Sequence, residues 1–113
     1  MKRYCLALDL IDDATLIAQY EEHQKNVWPE IIASIQNSGI MQLQIYRTGN
    51  RLCMLMEVNE SFSFAEKAKA DNANPKVQEW ESLMWKYQQA IPLSKPGEKW
   101  RLMEKIFDLD GFR

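Results

Sequence analysis

The order in which hydrophobic periodicities change along the chain constrains its fold more than any single motif does. Apolar side chains alternate with polar or small ones over residues 3–10 and again over residues 41–48, and a period of two predicts strands. Gly49-Asn50 predicts a tight hairpin turn, with the return strand at residues 51–58. A last strand is expected over residues 99–107.

The segment between the first two strands has helical spacing. Asp12 or Asp13 can cap the start of a helix, because a short acidic side chain accepts hydrogen bonds from free backbone N–H groups. Trp28-Pro29 interrupts this helix, and proline in a first helical turn predicts that a second segment begins there. Gly39 stands where a glycine commonly follows a helix end.

Two further helices are predicted between the third strand and the last. Ser63, with Glu66 three residues later, resembles a capping box that opens a short helix to about Asp71. Pro75 begins a longer helix, whose apolar stripe runs as far as Ile91.

The resulting order, β-α-β-β-α-β, is the ferredoxin-like split unit of an α+β fold. We expect a single domain over residues 1–113, with a four-stranded antiparallel sheet and the helices on one face. A chain this short buries only about 60–70% of its unfolded surface, so a deep pocket needs a second subunit. Gln42, Gln44 and Tyr46 point to the face that the helices leave open, and two such faces packed together in a homodimer would enclose a ligand.

Charge and composition exclude several classes of partner. The formal net charge is −2, which gives no reason to expect nucleic acid or a membrane surface as a partner. Cys5 and Cys53 lie in apolar strand-like runs, which favours free thiols over a disulfide and the cytoplasm as compartment. One histidine and two strand cysteines give no metal-ligand spacing, and no cofactor is expected.

His23 is the only histidine, and histidine is the residue type that changes charge near neutral pH. It is a candidate general acid or base, although a packed helix histidine is the alternative. Tyr20 and Trp28 lie close to it in sequence, and aromatic rings beside polar groups are typical of sugar sites. Trp80 and Trp85 are five helical positions apart, so one of them must leave the apolar stripe and is free to line a cleft.

Residues 20–31, with Tyr20, His23 and Trp28-Pro29, resemble the corresponding helix of the L-rhamnose mutarotases. The resemblance extends over about residues 3–109, and its further matching motifs are Ile45-Tyr46, Trp85-Lys86-Tyr87, and Met103-Glu104 with Phe107. It implies a dimeric α+β barrel that interconverts the α and β anomers of a 6-deoxy-hexose without a cofactor. L-rhamnose is the first expectation for the substrate, and L-fucose is the alternative.

The resemblance also implies roles for individual residues. His23 is expected to be the catalytic acid or base, although the family's usual histidine position is held here by Gln24. The expected sugar contacts are Tyr20, Gln24, Trp28, Tyr46, Trp80 and Trp85. Two other hypotheses stay open: a non-catalytic sugar-binding or sensing module, and a monooxygenase, which rests on fold analogy alone.

Overall fold

One long strand organises the sheet in the computed structural model, which describes residues 2–112. The elements are β1 (Lys2–Leu10), α1 (Ala14–Lys25), α2 (Pro29–Asn37), β2 (Ile40–Thr48), β3 (Arg51–Val58), α3 (Phe64–Asn72), α4 (Pro75–Trp85), β4 (Gln88–Gln89), β5 (Arg101–Leu102) and a 3-10 turn (Leu109–Phe112). β1 pairs antiparallel with β3, and β3 with β2. The other edge of β1 pairs with the two short strands β4 and β5.

The predicted helix starts are confirmed by their caps. The Asp13 side chain accepts a hydrogen bond from the Leu16 N–H at 3.0 Å at the start of α1. Pro29 is the first residue of α2, and the Ser63 hydroxyl accepts from the Glu66 N–H at the start of α3. Gly39 follows α2 with a φ of 95°, a left-handed conformation that glycine adopts without steric cost.

The helices cover one face of the sheet, as the sequence predicts. Alternate side chains of β1 point to this face, and Leu8 and Leu10 are fully buried there. Tyr20, Ile31 and Trp80 from the helices pack with Leu10 in the main hydrophobic cluster. A second cluster fills the rest of the same sheet face, and its buried members are Leu6, Ile40, Met56 and Val58.

The opposite sheet face is open. Cross-strand partners share a face, so the register places Tyr46 beside Cys53, and Cys53 beside Ala7. At one end of this face Asp9 is only 5% exposed, and the Arg51 guanidinium donates to both of its carboxylate oxygens, at 2.7 and 3.1 Å. This pairing satisfies a charge that would otherwise be buried alone.

Two predicted boundaries are wrong. The helix expected to reach Ile91 ends at Trp85, because the chain then turns to pair Gln88 with Leu10 at the edge of β1. The last strand is Arg101–Leu102 instead of residues 99–107. The two short strands together therefore occupy the sheet position expected of one long strand.

After β5 the chain leaves the sheet. The Met103 N–H still donates to the Cys5 carbonyl at 2.8 Å, but Ile106, Phe107 and Phe112 are exposed apolar side chains. Within residues 2–112, the helices fall short of the length and apolar character that crossing a bilayer requires.

Candidate active site

The His23 side chain lies against the C-terminal end of α4. Its Nε2 atom shares a hydrogen bond with the Tyr87 hydroxyl at 3.3 Å, and the two rings are 5.4 Å apart. The Trp80 ring meets the imidazole edge-on, with centroids 6.3 Å apart. The imidazole ring therefore has a polar partner in Tyr87, and because His23 is only half-buried, it still reaches solvent.

An aromatic wall continues from His23 along the same side of the helices. The Trp28 ring lies 5.0 Å from the Trp80 ring at an angle of 67°, an edge-on contact that aromatic pairs favour. Trp80 is buried, whereas Trp28 is half-buried and has the Lys76 ammonium 5.6 Å from its ring centre. Trp28 stands at the N-cap of α2 because Pro29 begins that helix, and this break turns the ring toward α4.

Tyr20 anchors this aromatic group, which consists of His23, Tyr87, Trp80 and Trp28, to the sheet. Its side chain is 3% exposed, and its hydroxyl accepts a hydrogen bond from the Gln88 side-chain amide at 3.3 Å. Burial raises the pKa of Tyr20 above its ordinary value, and the Gln88 bond only partly opposes that change. Tyr20 is therefore a neutral phenol at physiological pH, and its ring lies 6.3 Å from that of Tyr87.

Gln24 also lies against α4. One helical step turns a side chain by about 100°, yet the His23 and Gln24 side chains both reach α4 or the residues just after it. The Gln24 amide donates to the Met84 sulfur at 3.3 Å, while His23 reaches Tyr87. Gln24, which holds the position of the family's usual histidine, and His23 are therefore adjacent in the same half-buried region.

The structure does not bring Tyr46 and Trp85 into this group. Tyr46 is 56% exposed on the open sheet face, on the other side of the sheet from His23. Trp85 leaves the apolar stripe, as the spacing predicts, and is 40% exposed in an open depression of about 460 Å³ beside the loop of residues 94–99. The Lys99 ammonium lies 5.2 Å from its ring centre.

Two residues of the site, Tyr87 and Gln88, were not among the predicted site residues. Both fall within the predicted last helix, whose apolar stripe runs through Tyr87 to Ile91. A tyrosine on a buried stripe needs a partner for its hydroxyl, which was the available signal for Tyr87. Gln88 had no comparable signal, because its burial depends on pairing with β1.

The group contains side chains that are able to support acid–base chemistry. An imidazole exchanges protons near neutral pH, and a phenol bonded to it fixes the orientation of the ring. The neighbouring aromatic faces suit the apolar faces of a pyranose, while Gln24 offers amide groups for hydroxyls.

The sequence model of the L-rhamnose mutarotase family matches residues 3–109. The chain therefore belongs to this family of sugar mutarotases, which are isomerases that act on carbohydrates. The α+β, ferredoxin-like fold expected from the sequence is confirmed by the sheet and by the structural comparisons below.

Two relatives are similar over nearly the whole chain. One is named L-fucose mutarotase, from Xanthomonas campestris pv. campestris, and is 53% identical over 111 residues, covering 96% of this chain and 89% of that protein. The other is a UPF0734 protein from Dictyostelium discoideum, 37% identical over 116 residues, covering 99% of this chain and 93% of that protein.

Two solved structures share the fold. An L-rhamnose mutarotase from Formosa agariphila superposes with a TM-score of 0.70 at 20% identity, covering 96% of this chain and 99% of that one. Tetracenomycin F2 cyclase from Streptomyces glaucescens superposes with a TM-score of 0.61 at 16% identity, covering 96% of each chain. At these identities the likeness establishes the fold alone, and a fold does not determine a reaction.

Proposed function

We propose that this chain interconverts the α and β anomers of a 6-deoxy-hexose and that L-fucose is its preferred substrate. The observation that supports the choice of sugar is the 53% identity, across 96% of the chain, to a protein named L-fucose mutarotase. The sequence resemblance put L-rhamnose first. L-fucose now ranks ahead of it, because the L-rhamnose mutarotase of similar fold is only 20% identical.

The reaction requires two coordinated proton transfers. A base removes the proton of the anomeric hydroxyl while an acid protonates the ring oxygen, and the bond between C1 and the ring oxygen breaks. The open-chain aldehyde rotates about its C1–C2 bond, and the same steps in reverse close the ring on the other face. No net oxidation occurs, so a positioned imidazole with hydroxyl or water partners is sufficient.

We assign the proton transfers to His23. Its Nε2 atom has the Tyr87 hydroxyl 3.3 Å away, so the phenol orients the ring for the transfers. The half-buried Trp28 ring, supported edge-on by Trp80, offers a flat surface to the apolar face of the sugar. Gln24 lies beside His23 and would bond sugar hydroxyls, which an amide does with both donors and acceptors.

We also propose that the active form is a cytoplasmic homodimer, in which the open sheet faces of the two copies pack together and cover each other. The support is the apolar surface that one chain leaves exposed there, with Tyr46 and Leu55 on the open face and Phe107 beyond β5. Free thiols at Cys5 and Cys53 support the reducing compartment. Light scattering at several concentrations tests the assembly, and a monomer at all of them would contradict it.

Exchange spectroscopy by NMR tests the reaction directly. The protein is added at micromolar concentration to L-fucose, L-rhamnose and L-galactose, each at anomeric equilibrium. We expect anomer exchange to accelerate most for L-fucose, and the comparison with L-galactose measures the preference for a 6-deoxy carbon. Calorimetric binding of L-fucose without faster exchange would instead support the non-catalytic sugar-binding module, and no effect on any sugar would reject both.

A further inference from the structure

The Lys76 ammonium lies over the aromatic ring that is assigned to the sugar. Its Nζ atom is 5.6 Å from the centre of the Trp28 ring, a distance at which a cation is attracted to the ring face. Trp28 is half-buried against the main hydrophobic cluster, whereas the Lys76 side chain is 56% exposed. The ammonium therefore lies on the part of the ring that solvent reaches.

We propose that Lys76 sets the affinity for the sugar, because a pyranose must displace the Lys76 ammonium before it stacks on Trp28. The inference rests on the proposed function, which gives the Trp28 ring to the apolar face of the sugar. Ammonium and pyranose both bind to the face of an aromatic ring, so they compete for the same surface. The competition acts on binding and leaves the hydrogen bond between His23 and Tyr87 in place.

The Lys76 ammonium is held by weak contacts. The Glu79 Oε2 atom lies 3.5 Å from it, but both side chains are more than half exposed, and such ion pairs contribute little. Lys76 is the second residue of α4, where the positive end of the helix dipole disfavours a cation. Its backbone is fixed, because the Lys76 N–H donates to the Asn74 side chain at 3.0 Å. Rotation of the side chain alone therefore frees the Trp28 ring, and α4 stays in place.

The contact between Lys76 and Trp28 predicts the size of the effect. An exposed cation–π contact is weak, and its loss on sugar binding corresponds to about a 2- to 5-fold change in affinity. The ammonium stays displaced in both the bound sugar complex and the transition state. A change that affects both states equally alters KM and leaves kcat unchanged.

Three variants of the full-length chain test the proposal with L-fucose, by anomer exchange and by calorimetry. Lys76→Ala removes the competitor, so KM and Kd should fall by about 2- to 5-fold at unchanged kcat. Lys76→Arg should raise both constants, because a planar guanidinium stacks better on an aromatic ring than an ammonium does. Lys99→Ala is the matched control. It removes a similar contact, 5.2 Å from the centre of the Trp85 ring, which lies outside the aromatic group, so both constants should stay at the wild-type value.

NMR follows the displacement itself. The Trp28 ring should shift the signals of the Lys76 methylene groups upfield in the free protein, and saturating L-fucose should return them toward ordinary values. Signals that do not move when the sugar binds would overturn the inference.

The kinetic outcomes separate this inference from the proposed function. An unchanged KM in Lys76→Ala, in a protein that accelerates exchange, would refute the inference alone. A raised KM would refute it too, because it would show that the lysine binds the sugar. An equal fall in Lys99→Ala would show that any lost positive charge has the same effect. Neither exchange nor binding in the wild type would refute the proposed function, and this inference with it.

Discussion

Removing the Tyr87 hydroxyl tests what the polar partner of His23 contributes to catalysis. In Tyr87→Phe the phenyl ring still packs between the Tyr20 and His23 rings, which lie 6.3 and 5.4 Å from it, so the aromatic contacts persist. What disappears is one hydrogen bond of 3.3 Å to the imidazole. The variant therefore tests whether that bond positions the ring or moves a catalytic proton.

The two roles differ in magnitude. A net neutral hydrogen bond is worth about 0.5–1.5 kcal/mol, and the 3.3 Å between His23 and Tyr87 puts this one in the lower half of that range. Loss of positioning alone then lowers kcat by about 2- to 5-fold, since ~1.4 kcal/mol is tenfold in rate. Loss of a general acid or base instead costs about 10²–10⁴-fold.

Anomer exchange of L-fucose, followed by NMR at saturating sugar, measures the effect, with urea unfolding as the check on folding. We expect the small loss for Tyr87→Phe, because His23 is the group assigned to the proton transfers. A loss as large as that of His23→Gln would show that Tyr87 itself transfers the proton. An unchanged kcat would show that the hydrogen bond has no part in catalysis.

Two further predictions concern stability, both measured by urea unfolding. Gly39→Ala should lower the free energy of unfolding by about 2–4 kcal/mol, because φ is 95° and the new Cβ would lie 2.6 Å from the Asn59 side-chain oxygen. The control, Gly49→Ala, has a φ of 56° but open space around it, and should lower the free energy of unfolding by only about 1–2 kcal/mol. Equal losses in the two variants would contradict the clash at Gly39. Tyr20→Phe should cost about 1–3 kcal/mol at neutral pH, because the buried Gln88 amide loses its acceptor. Since burial raises the Tyr20 pKa above 10.0, the stability it provides is complete below pH 10.0 and is lost above it. As the pH rises above 10.0, the free energy of unfolding should therefore fall less in Tyr20→Phe than in the wild type. Equal falls in the two proteins would refute the raised pKa of Tyr20.

The fold was predictable where local signals and tertiary pairing agree. The alternation in residues 3–10, the break at Pro29 and the cap at Ser63 each correspond to an observed element. The end of α4 was not predictable, because its helical stripe continues past Trp85 and only the pairing of Gln88 with β1 ends it. Tertiary pairing overrides local propensity there.

The predicted last strand shows that apolar content alone is not enough to predict where a strand ends. Its residues 103–107 are apolar at three positions, but Ile106 and Phe107 are consecutive, so they cannot both face a core from one strand. Only Arg101–Leu102 pairs with β1, and the following segment stays exposed.

The candidate site was predictable on the helices but not across the sheet. Tyr20, His23 and Trp28 were predicted from one stretch of sequence, and the structure places the predicted Trp80 of α4 against the His23 and Trp28 rings. Alternation in β2 correctly put Tyr46 on the open face, but it could not reveal that the aromatic group lies on the helix side. The sequence also left open whether His23 or Gln24 points inward, since either does so after a modest rotation of α1, and in the structure both reach α4 or the residues just after it.

The most direct test of the account is the rate of L-fucose anomer exchange in His23→Gln compared with the wild type. Glutamine keeps a polar side chain of similar reach but cannot exchange protons near neutral pH. We predict that the variant folds and loses about 100-fold or more of the enzymatic exchange rate. Exchange that continues at the wild-type rate in the folded variant would contradict the assignment of His23 as the catalytic acid or base.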